Sequence, residues 1–221
     1  MRFYLQQLIL LFVLMLFSCQ SEIETEPVDF GYDYQPMEVG LFWIYEVDQT
    51  IYFGENDSER FTYFYKDIIR SSYINAENEQ VFIVDRSKSP NKNNWAKEME
   101  YTLIRRDFSV VRTSQNQPLI TIVFPVKSGS VWNANAYRDA PIDEFEYADT
   151  GLADQYLVRQ EESTDEVTYF DHRYEIYNRG VGLIEKYYEV LTYCSRNDCL
   201  GDQLIDSGYK TLMKLTDNGK N

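Results

Sequence analysis

The chain has 221 residues and is acidic, with 36 Asp and Glu against 21 Lys and Arg and a formal net charge of −15. Proteins that bind nucleic acid need Lys and Arg to neutralise phosphates, so this charge and the lack of a basic stripe argue against such a partner. The aromatic fraction of 16% is too high for a disordered chain, and a single histidine argues against most zinc hydrolases. The length is typical of one domain with its own hydrophobic core.

Residues 1–18 have the pattern of a secretory signal peptide. Arg2 follows the initiator methionine, a short apolar run comes next, and the small residue Ser18 precedes Cys19. The apolar run is shorter than the roughly 20 residues of a transmembrane helix, and acidic residues rather than basic ones follow it. We therefore expect cleavage before Cys19 rather than a membrane span.

The four residues Leu16-Phe17-Ser18-Cys19 resemble the lipobox of bacterial lipoproteins. In that family the cysteine thiol is diacylated and the cysteine becomes the first residue of the mature protein. The resemblance implies acyl chains such as palmitate on Cys19 and attachment to a membrane through them. Each buried methylene group contributes about 0.8 kcal/mol, so two or three chains make a lasting anchor. Ordinary secretion with an incidental cysteine is the alternative.

Residues 19–35 are rich in acidic side chains and contain no Lys or Arg. So charged a segment, interrupted by Pro27, predicts an extended tether between the anchor and the domain. Acidic residues shortly after the lipidated cysteine also resemble the surface-export signal of Bacteroidetes-type lipoproteins, which implies display on the outer face of the cell. A plain solvated linker is the alternative.

Residues 36–221 have the pattern of a single β domain. Aromatic and β-branched residues alternate with polar ones in about ten runs, separated by loops rich in turn-forming residues. The runs cover residues 42–53, 60–74, 79–87, 97–106, 108–113, 118–124, 154–162, 166–178, 182–194 and 207–215. Because the connections are short, we predict an all-β antiparallel meander that forms a barrel-like or strongly curved sheet. Residues 133–154 lack a clear strand and are predicted to be the longest ordered loop.

A proline, a glycine and a tryptophan recur with the same spacing in two places. The two copies are Pro36, Gly40 and Trp43 and, 89 residues later, Pro125, Gly129 and Trp132. In each copy the proline ends one segment, the glycine permits a positive φ, and the tryptophan enters the next strand as a core anchor. We interpret them as two similar corners of one domain, with an internal duplication as the alternative.

These motifs resemble those of a family of uncharacterised Bacteroidetes-type lipoproteins. The first copy extends to Tyr45 as Pro-x3-Gly-x2-Trp-x-Tyr, and residues 124–135 read Phe-Pro-Val-Lys-x-Gly-x2-Trp-x2-Asn. Residues 180–186, Gly-Val-Gly-Leu-Ile-Glu-Lys, also fit the family. The resemblance spans most of the chain after the signal and implies an envelope location and a β architecture. Its motifs carry no established chemistry, so it implies no activity.

Few residues outside the lipobox have a spacing that points to chemistry. Cys194 and Cys199 are an even, closely spaced pair, which in an exported protein predicts a disulfide that closes a loop between strands. His172 lies on an alternating strand, where adjacent acidic residues point to the opposite face, so we expect a surface histidine rather than a general base. We expect no catalytic residue, no metal and no cofactor.

The aromatic residues of the predicted loop 133–154 are the candidates for ligand contact. Tyr137, Phe145 and Tyr147 can stack on sugar faces or on a partner protein, because binding surfaces on β scaffolds tend to lie on long loops. Such aromatic residues can equally pin a loop to the core.

Three functions from different classes fit the sequence. The first is a non-enzymatic, lipid-anchored lipoprotein of the outer membrane that binds a ligand or an envelope protein. The second is a carbohydrate-binding accessory of a glycan-uptake system, suggested by the high aromatic content. The third is a hydrolase that uses paired carboxylates, which requires two of them to converge in one concave pocket.

Overall fold

The computed structural model describes residues 29–221, which form twelve β-strands and one 3-10 helix, Tyr32–Tyr34. The strands are β1 (Leu41–Gly54), β2 (Asp57–Ile74), β3 (Gln80–Ser89), β4 (Ala96–Arg106), β5 (Ser109–Ser114), β6 (Gln117–Val123), β7 (Val131–Asn133), β8 (Glu144–Asp149), β9 (Gln155–Thr164), β10 (Tyr169–Asn178), β11 (Gly182–Tyr193) and β12 (Ile205–Lys220). In the part of the chain that is described, no helix is both long and apolar enough to span a membrane.

All twelve strands belong to one antiparallel sheet with the order β6-β5-β4-β3-β2-β1-β12-β11-β10-β9-β8-β7. The first and last strands, β1 and β12, pair in the middle of this order. Their ladder runs from the pair Leu41 and Lys220 to the pair Tyr52 and Gly208. The sheet curls until its two edge strands, β6 and β7, meet, and it is a nearly closed barrel. The all-β antiparallel meander predicted from the sequence is confirmed.

The seam between β6 and β7 is held by single hydrogen bonds rather than by a regular ladder. The backbone N–H of Ile120 donates to the carbonyl of Ala134 at 2.9 Å, and the indole N–H of Trp132 donates to the carbonyl of Ile120 at 2.9 Å. The hydroxyl of Tyr147 donates to the carbonyl of Val123 at 2.8 Å and accepts the N–H of the same residue at 3.0 Å. Side chains thus satisfy backbone groups that a neighbouring strand would otherwise pair.

The two copies of the proline, glycine and tryptophan pattern form equivalent corners before β1 and β7. Gly40 and Gly129 have φ of 94° and 78°. The N–H of Gly40 donates to the carbonyl of Ile69 in β2 at 2.9 Å, and that of Gly129 donates to the carbonyl of Tyr147 in β8 at 2.8 Å. Both tryptophans are buried, and the indole of Trp43 donates to the carbonyl of Val181 as that of Trp132 does to β6. This geometry supports the interpretation as two similar corners.

The N-terminal residues of the described chain close one end of the barrel. Tyr34 is only 3% exposed and packs edge-on against Tyr156 at 5.4 Å, while Phe30 and Met37 pack against the same core. We call this end the closed end. The odd-numbered strands start there, and the C-terminus lies there as well. The opposite end, where the turns β1–β2, β3–β4 and β5–β6 and the β7–β8 connection lie, we call the open end.

The extended tether predicted for residues 19–35 does not reach residue 35. The guanidinium of Arg179 forms ion pairs with Asp29 at 2.8 Å and Asp33 at 3.1 Å, in addition to the buried contacts of Tyr34. Acidic composition suggested a solvated segment, but the aromatic residues between the acids pack on the barrel. Residues 29–35 therefore belong to the domain, and the signal peptide, Cys19 and the rest of the tether lie outside the described residues.

The prediction of a loop over residues 133–154 is also wrong in part. The segment contains all of β8 and begins at the last residue of β7. Strand β7 has only three residues, too few for a period of two to be visible in a sequence. In β8 the inward Phe145 and Tyr147 alternate with acidic residues that make the segment look like a solvated loop.

We expect Tyr147→Phe to destabilise the fold. The ring still fills its place, but the N–H and the carbonyl of Val123 both lose their buried partner. Leaving buried backbone groups unpaired costs about 1–3 kcal/mol each, so the free energy of unfolding, measured with urea, should fall by at least 1 kcal/mol. Tyr156→Phe is the matched control, because Tyr156 packs in the same cluster and its hydroxyl has no hydrogen-bond partner in the described structure. Equal losses in the two variants would contradict the role of the seam.

Candidate functional site

A cavity of about 380 Å³ lies inside the barrel, toward the open end. Strands β3 to β6 line one wall, and β8 to β11 line the other. Ser114 and Gln117, which flank the β5–β6 turn, and Arg138 and Asp143 from the β7–β8 connection are part of this lining. Because these residues belong to the open end while apolar side chains fill the closed end, the cavity has its mouth at the open end.

The ionisable groups that line the cavity are mostly cationic. They are Arg86, Arg112, Arg138, Arg173 and Lys186 against one carboxylate, Asp143. In a chain with a net charge of −15, this is a local reversal of sign. Phe145, Leu183 and Tyr188 add apolar and aromatic surface, so the cavity offers both charge and a face for a carbon skeleton.

One buried ion pair joins opposite walls of the barrel. The fully buried carboxylate of Glu175 in β10 lies 2.8 Å from the guanidinium of Arg112 in β5 and 3.1 Å from the ammonium of Lys186 in β11. The hydroxyl of Tyr177 donates to it at 2.6 Å. Burial alone would raise the pKa of Glu175, but the charges of Arg112 and Lys186 outweigh it and hold this pKa well below its usual range. Glu175 is therefore an ionised carboxylate and not a proton donor.

A second buried pair lies beside it. Both carboxylate oxygens of Asp67 in β2 accept from the guanidinium of Arg86, at 2.7 and 2.6 Å, and the hydroxyl of Tyr101 donates to the same carboxylate at 2.9 Å. Burial lowers the pKa of Arg86, but the charge and hydrogen bonds of Asp67 outweigh this and raise it. The Arg86 side chain also lies over the ring of Tyr65, 4.7 Å from its centre. This arginine is fixed on several sides.

Positive charge is unevenly neutralised around the cavity. Arg173 faces three carboxylates, Asp171 at 2.7 Å, Glu161 at 3.7 Å and Asp143 at 4.0 Å. Burial raises the pKa of Asp143, and the charge of Arg173 opposes this. The Arg173 side of the cavity therefore has an excess of acidic groups.

Elsewhere in the lining, positive charge is in excess. Arg112 and Lys186 share the single carboxylate of Glu175 inside the barrel, and Arg138, which enters from the open end, forms no ion pair with any residue in 29–221. The Nε atom of Arg138 is buried and has no hydrogen-bond partner.

Gln160 in β9 is a buried polar side chain whose hydrogen bonds are not made. It is 2% exposed and lines the cavity, and neither its Nε2 nor its Oε1 has a partner among the described residues. A buried amide left in this state costs about 1–3 kcal/mol for each unpaired group. A buried amide of this kind needs a partner such as a water molecule, an ion or a ligand.

The three aromatic residues predicted to contact a ligand occupy different places. Tyr137 is 49% exposed on the outside of the barrel, where the guanidinium of Arg106 lies 4.5 Å from the centre of its ring. Phe145 and Tyr147 are 1% and 2% exposed, because both face inward from β8. Only Phe145 reaches the cavity, and Tyr147 closes the seam instead.

The predicted disulfide is confirmed, and the histidine lies away from the cavity. Cys194 and Cys199 are bonded in the β11–β12 connection, with their Cα atoms 5.9 Å apart. His172 is on the outer face of β10, and its ring centre is 5.5 Å from that of Tyr174 and 5.3 Å from that of Tyr187.

A shallow groove beside the mouth collects further acidic side chains. Asp143, Glu144, Glu146, Glu161 and Glu162 line it. The guanidinium of Arg159 is 3.1 Å from Glu146 and 3.2 Å from Glu162. Across residues 29–221, no three His, Cys, Asp or Glu side chains are grouped so that they could hold a metal ion.

Comparisons with known proteins show neither a family nor a function for this chain. No family model matches the chain, and no curated protein matches it. Among solved structures, it is similar to a protein from Bacteroides fragilis NCTC 9343 that is described as having a YmcC-like fold and is proposed to be exported. The TM-score is 0.36 and the sequence identity is 9%, over 86% of this chain and 100% of the other. A likeness of this size is too low to transfer a function.

We expect Glu175→Gln to destabilise the fold strongly at neutral pH, by about 3–5 kcal/mol, because Arg112 and Lys186 lose their buried counter-charge. The pKa of Glu175 is lowered in the folded state, so its carboxylate stabilises the protein above its ordinary pKa of 4.5. This contribution is lost as the pH falls below that value. Urea unfolding at several pH values should therefore show the difference between the wild type and the variant shrinking in acid.

Asp48→Asn is the control for this measurement. It breaks the exposed pair between Asp48 and Arg60, and such pairs contribute about 0–1 kcal/mol. A loss for Glu175→Gln no larger than that for Asp48→Asn, or a difference independent of pH, would show that the buried ion pair does not support the barrel.

Proposed function

We propose that this chain is a lipid-anchored lipoprotein of the cell envelope that binds a small ligand inside its barrel and catalyses no reaction. The observation that carries the proposal is the polar cavity of about 380 Å³ with its mouth at the open end. Small-molecule sites are typically concave, of about 300–1,000 Å³, with a mainly apolar lining and a few placed polar groups. This cavity agrees in size and shape and has a more polar wall.

The position of the lipid anchor supports the same function. Ten residue steps separate Cys19 from Asp29, where the described chain begins at the closed end of the barrel. Even a fully extended chain of that length spans no more than roughly 35 Å. A barrel anchored through Cys19 would therefore approach the outer membrane with its closed end and turn the mouth of the cavity toward the aqueous side. A water-soluble ligand or an envelope partner could then reach it.

The state of the charged groups favours binding over catalysis. The buried carboxylates of Glu175 and Asp67 are both engaged in ion pairs with arginine, and Glu175 stays ionised. Asp143 is the one carboxylate that lines the cavity itself. Hydrolysis by paired carboxylates needs one group that donates a proton and a second that attacks or activates water. The cavity supplies charge and shape without such a pair.

A second candidate, a carbohydrate-binding accessory protein, is favoured by the outer face of β10 and β11. The rings of Tyr174 and Tyr187 are stacked there, with centres 5.2 Å apart and planes at 19°. The Tyr174 hydroxyl donates to Glu185 at 2.8 Å, and the Tyr187 hydroxyl donates to Glu189. Aromatic faces flanked by carboxylates suit the apolar faces and hydroxyl groups of sugars.

We expect Ser114→Trp to block ligand binding, because the indole would fill the mouth of the cavity. The measurement is a thermal-shift screen of the wild type with sugars, organic acids, amino acids and nucleotides. At 100 times its dissociation constant, a bound ligand stabilises the fold by about 2.7 kcal/mol, which raises the Tm by several degrees. The shift should disappear in Ser114→Trp.

Thr113→Trp is the matched control, since Thr113 is the preceding residue of β5 and points to the opposite face of the sheet. The variant should respond to ligand as the wild type does. If a polysaccharide gel retards the wild type and Ser114→Trp equally but not Tyr187→Ala, the second candidate is correct. If nothing shifts the wild type in either assay, both are wrong.

We expect Cys19→Ser to abolish lipid attachment. Cells that express the wild type and are fed an alkyne analogue of palmitate should yield a labelled protein in the membrane fraction, while Cys19→Ser should be unlabelled and soluble. Cys199→Ser is the control, because it removes a cysteine of the disulfide and should keep the label. An unlabelled wild type would contradict the anchor.

A further inference from the structure

Building on the proposed function, we infer that the ligand is a small organic anion whose carboxylate or phosphate group binds at the wall formed by Arg112 and Lys186. In this arrangement Arg138 and Gln160, which line the same cavity on the side of Asp143, complete the site. The inference names the chemical class of a ligand for the cavity and does not depend on the lipid anchor.

The first argument is the balance of charge among the buried groups at the Arg112 and Lys186 wall. Arg112 and Lys186 share one carboxylate, that of Glu175, so the three groups together carry one positive charge. The side chains of Arg112 and Lys186 are only 19% and 23% exposed, so water screens this excess charge poorly. A ligand anion would neutralise it, and charge-assisted hydrogen bonds from a guanidinium and an ammonium are among the strongest that proteins make.

The second argument is the state of Arg138. It extends from the β7–β8 connection to the cavity, and its Nε is buried without a hydrogen-bond partner. Its side chain forms no ion pair and no hydrogen bond with residues 29–221, although a guanidinium offers five donors in a fork that matches a carboxylate or a phosphate. An arginine that performs no structural pairing but lines a cavity is suited to bind an anion there.

The third argument is the amide of Gln160. Its Nε2 and Oε1 are both buried and unpaired, so one atom can donate to a ligand oxygen while the other accepts from a ligand hydroxyl. The cost of leaving this amide unpaired is recovered when a ligand is present. The ligand is therefore expected to carry hydroxyl groups as well as an acid.

The acidic side of the cavity sets the orientation. Asp143, Glu161 and Asp171 surround Arg173 and would repel an anion placed near them. The acid group therefore lies against Arg112 and Lys186. The uncharged hydroxylated part of the ligand lies toward Asp143 and Gln160, at the side from which Arg138 enters the cavity. Phe145 and Leu183 provide the apolar surface that the carbon skeleton contacts. A molecule of the size of an acidic monosaccharide suits a volume of about 380 Å³.

The test uses sets of probes that differ only in the acid group. D-glucose, D-glucuronate and D-glucose 6-phosphate form one set, and glycerol, glycerate and glycerol 3-phosphate form the other, with inorganic phosphate alone as a further probe. Binding is measured by calorimetry and thermal shift on the full protein. We expect the anionic members to bind at least tenfold more tightly than their neutral counterparts and to weaken as salt is added. The carboxylate and phosphate arms identify which acid is preferred.

Variants locate the anion. Arg138→Gln should weaken binding of the anionic probes at least tenfold and leave the Tm of the free protein unchanged, because no ion pair is lost. Arg60→Gln is the matched control, since it removes the same charge from an exposed pair on the outer surface. Gln160→Leu should weaken binding while keeping or raising the Tm of the free protein, because it removes an unpaired buried amide. A merely structural glutamine would give the opposite pattern.

The outcomes separate this inference from the proposed function. Neutral probes that bind the wild type as tightly as the anions do, and that fail to bind Ser114→Trp, overturn the anion assignment and leave the cavity as a binding site. Unchanged anion affinity in both Arg138→Gln and Gln160→Leu also overturns the assignment. If no probe binds, charged or neutral, both the inference and the proposed function are wrong.

Discussion

The rest of the structure depends on the ion pairs that the ionised carboxylate of Glu175 makes inside the barrel. A charge at that depth is tolerated only if cations and hydrogen-bond donors surround it, so Arg112 from β5 and Lys186 from β11 must point inward with it. The pair joins strands on opposite sides of the sheet and ties the two walls together. Arg112 and Lys186 also line the cavity, so the residues that neutralise Glu175 form part of the cavity wall.

The two ends of the barrel differ because of how the chain begins. Aromatic residues just before β1, Phe30 and Tyr34, cover the end of the core where the described chain begins and ends, and the two tryptophan corners start there as well. The opposite end is closed neither by a helix nor by an apolar plug in the described part of the chain, and the polar cavity opens there.

Much of the fold could be predicted from local sequence, but the site could not. Alternation of polar with aromatic and β-branched residues located nearly all the long strands. It did not tell which side of a strand faces inward, because both sides are mixed: in β10, Arg173 and Glu175 point in, while His172 and Tyr174 point out. Both pairs of residues contain polar side chains, so the sequence does not distinguish the inward side from the outward side. The acidic residues beside Tyr147 likewise made β8 look like a loop, although that tyrosine is buried against the edge strand β6.

By itself, the sequence determined the properties that depend on neighbours along the chain: the strand pattern, the turn residues, the close cysteine pair, and a lipobox-like cysteine after a signal-like run. The tertiary structure alone decided that residues 29–35 belong to the barrel and that five cations, four on distant strands and one in the β7–β8 connection, meet in one cavity. The physical reason is separation in sequence. Arg112 and Glu175 are 63 residues apart, and only the curl of the whole sheet brings them within 2.8 Å.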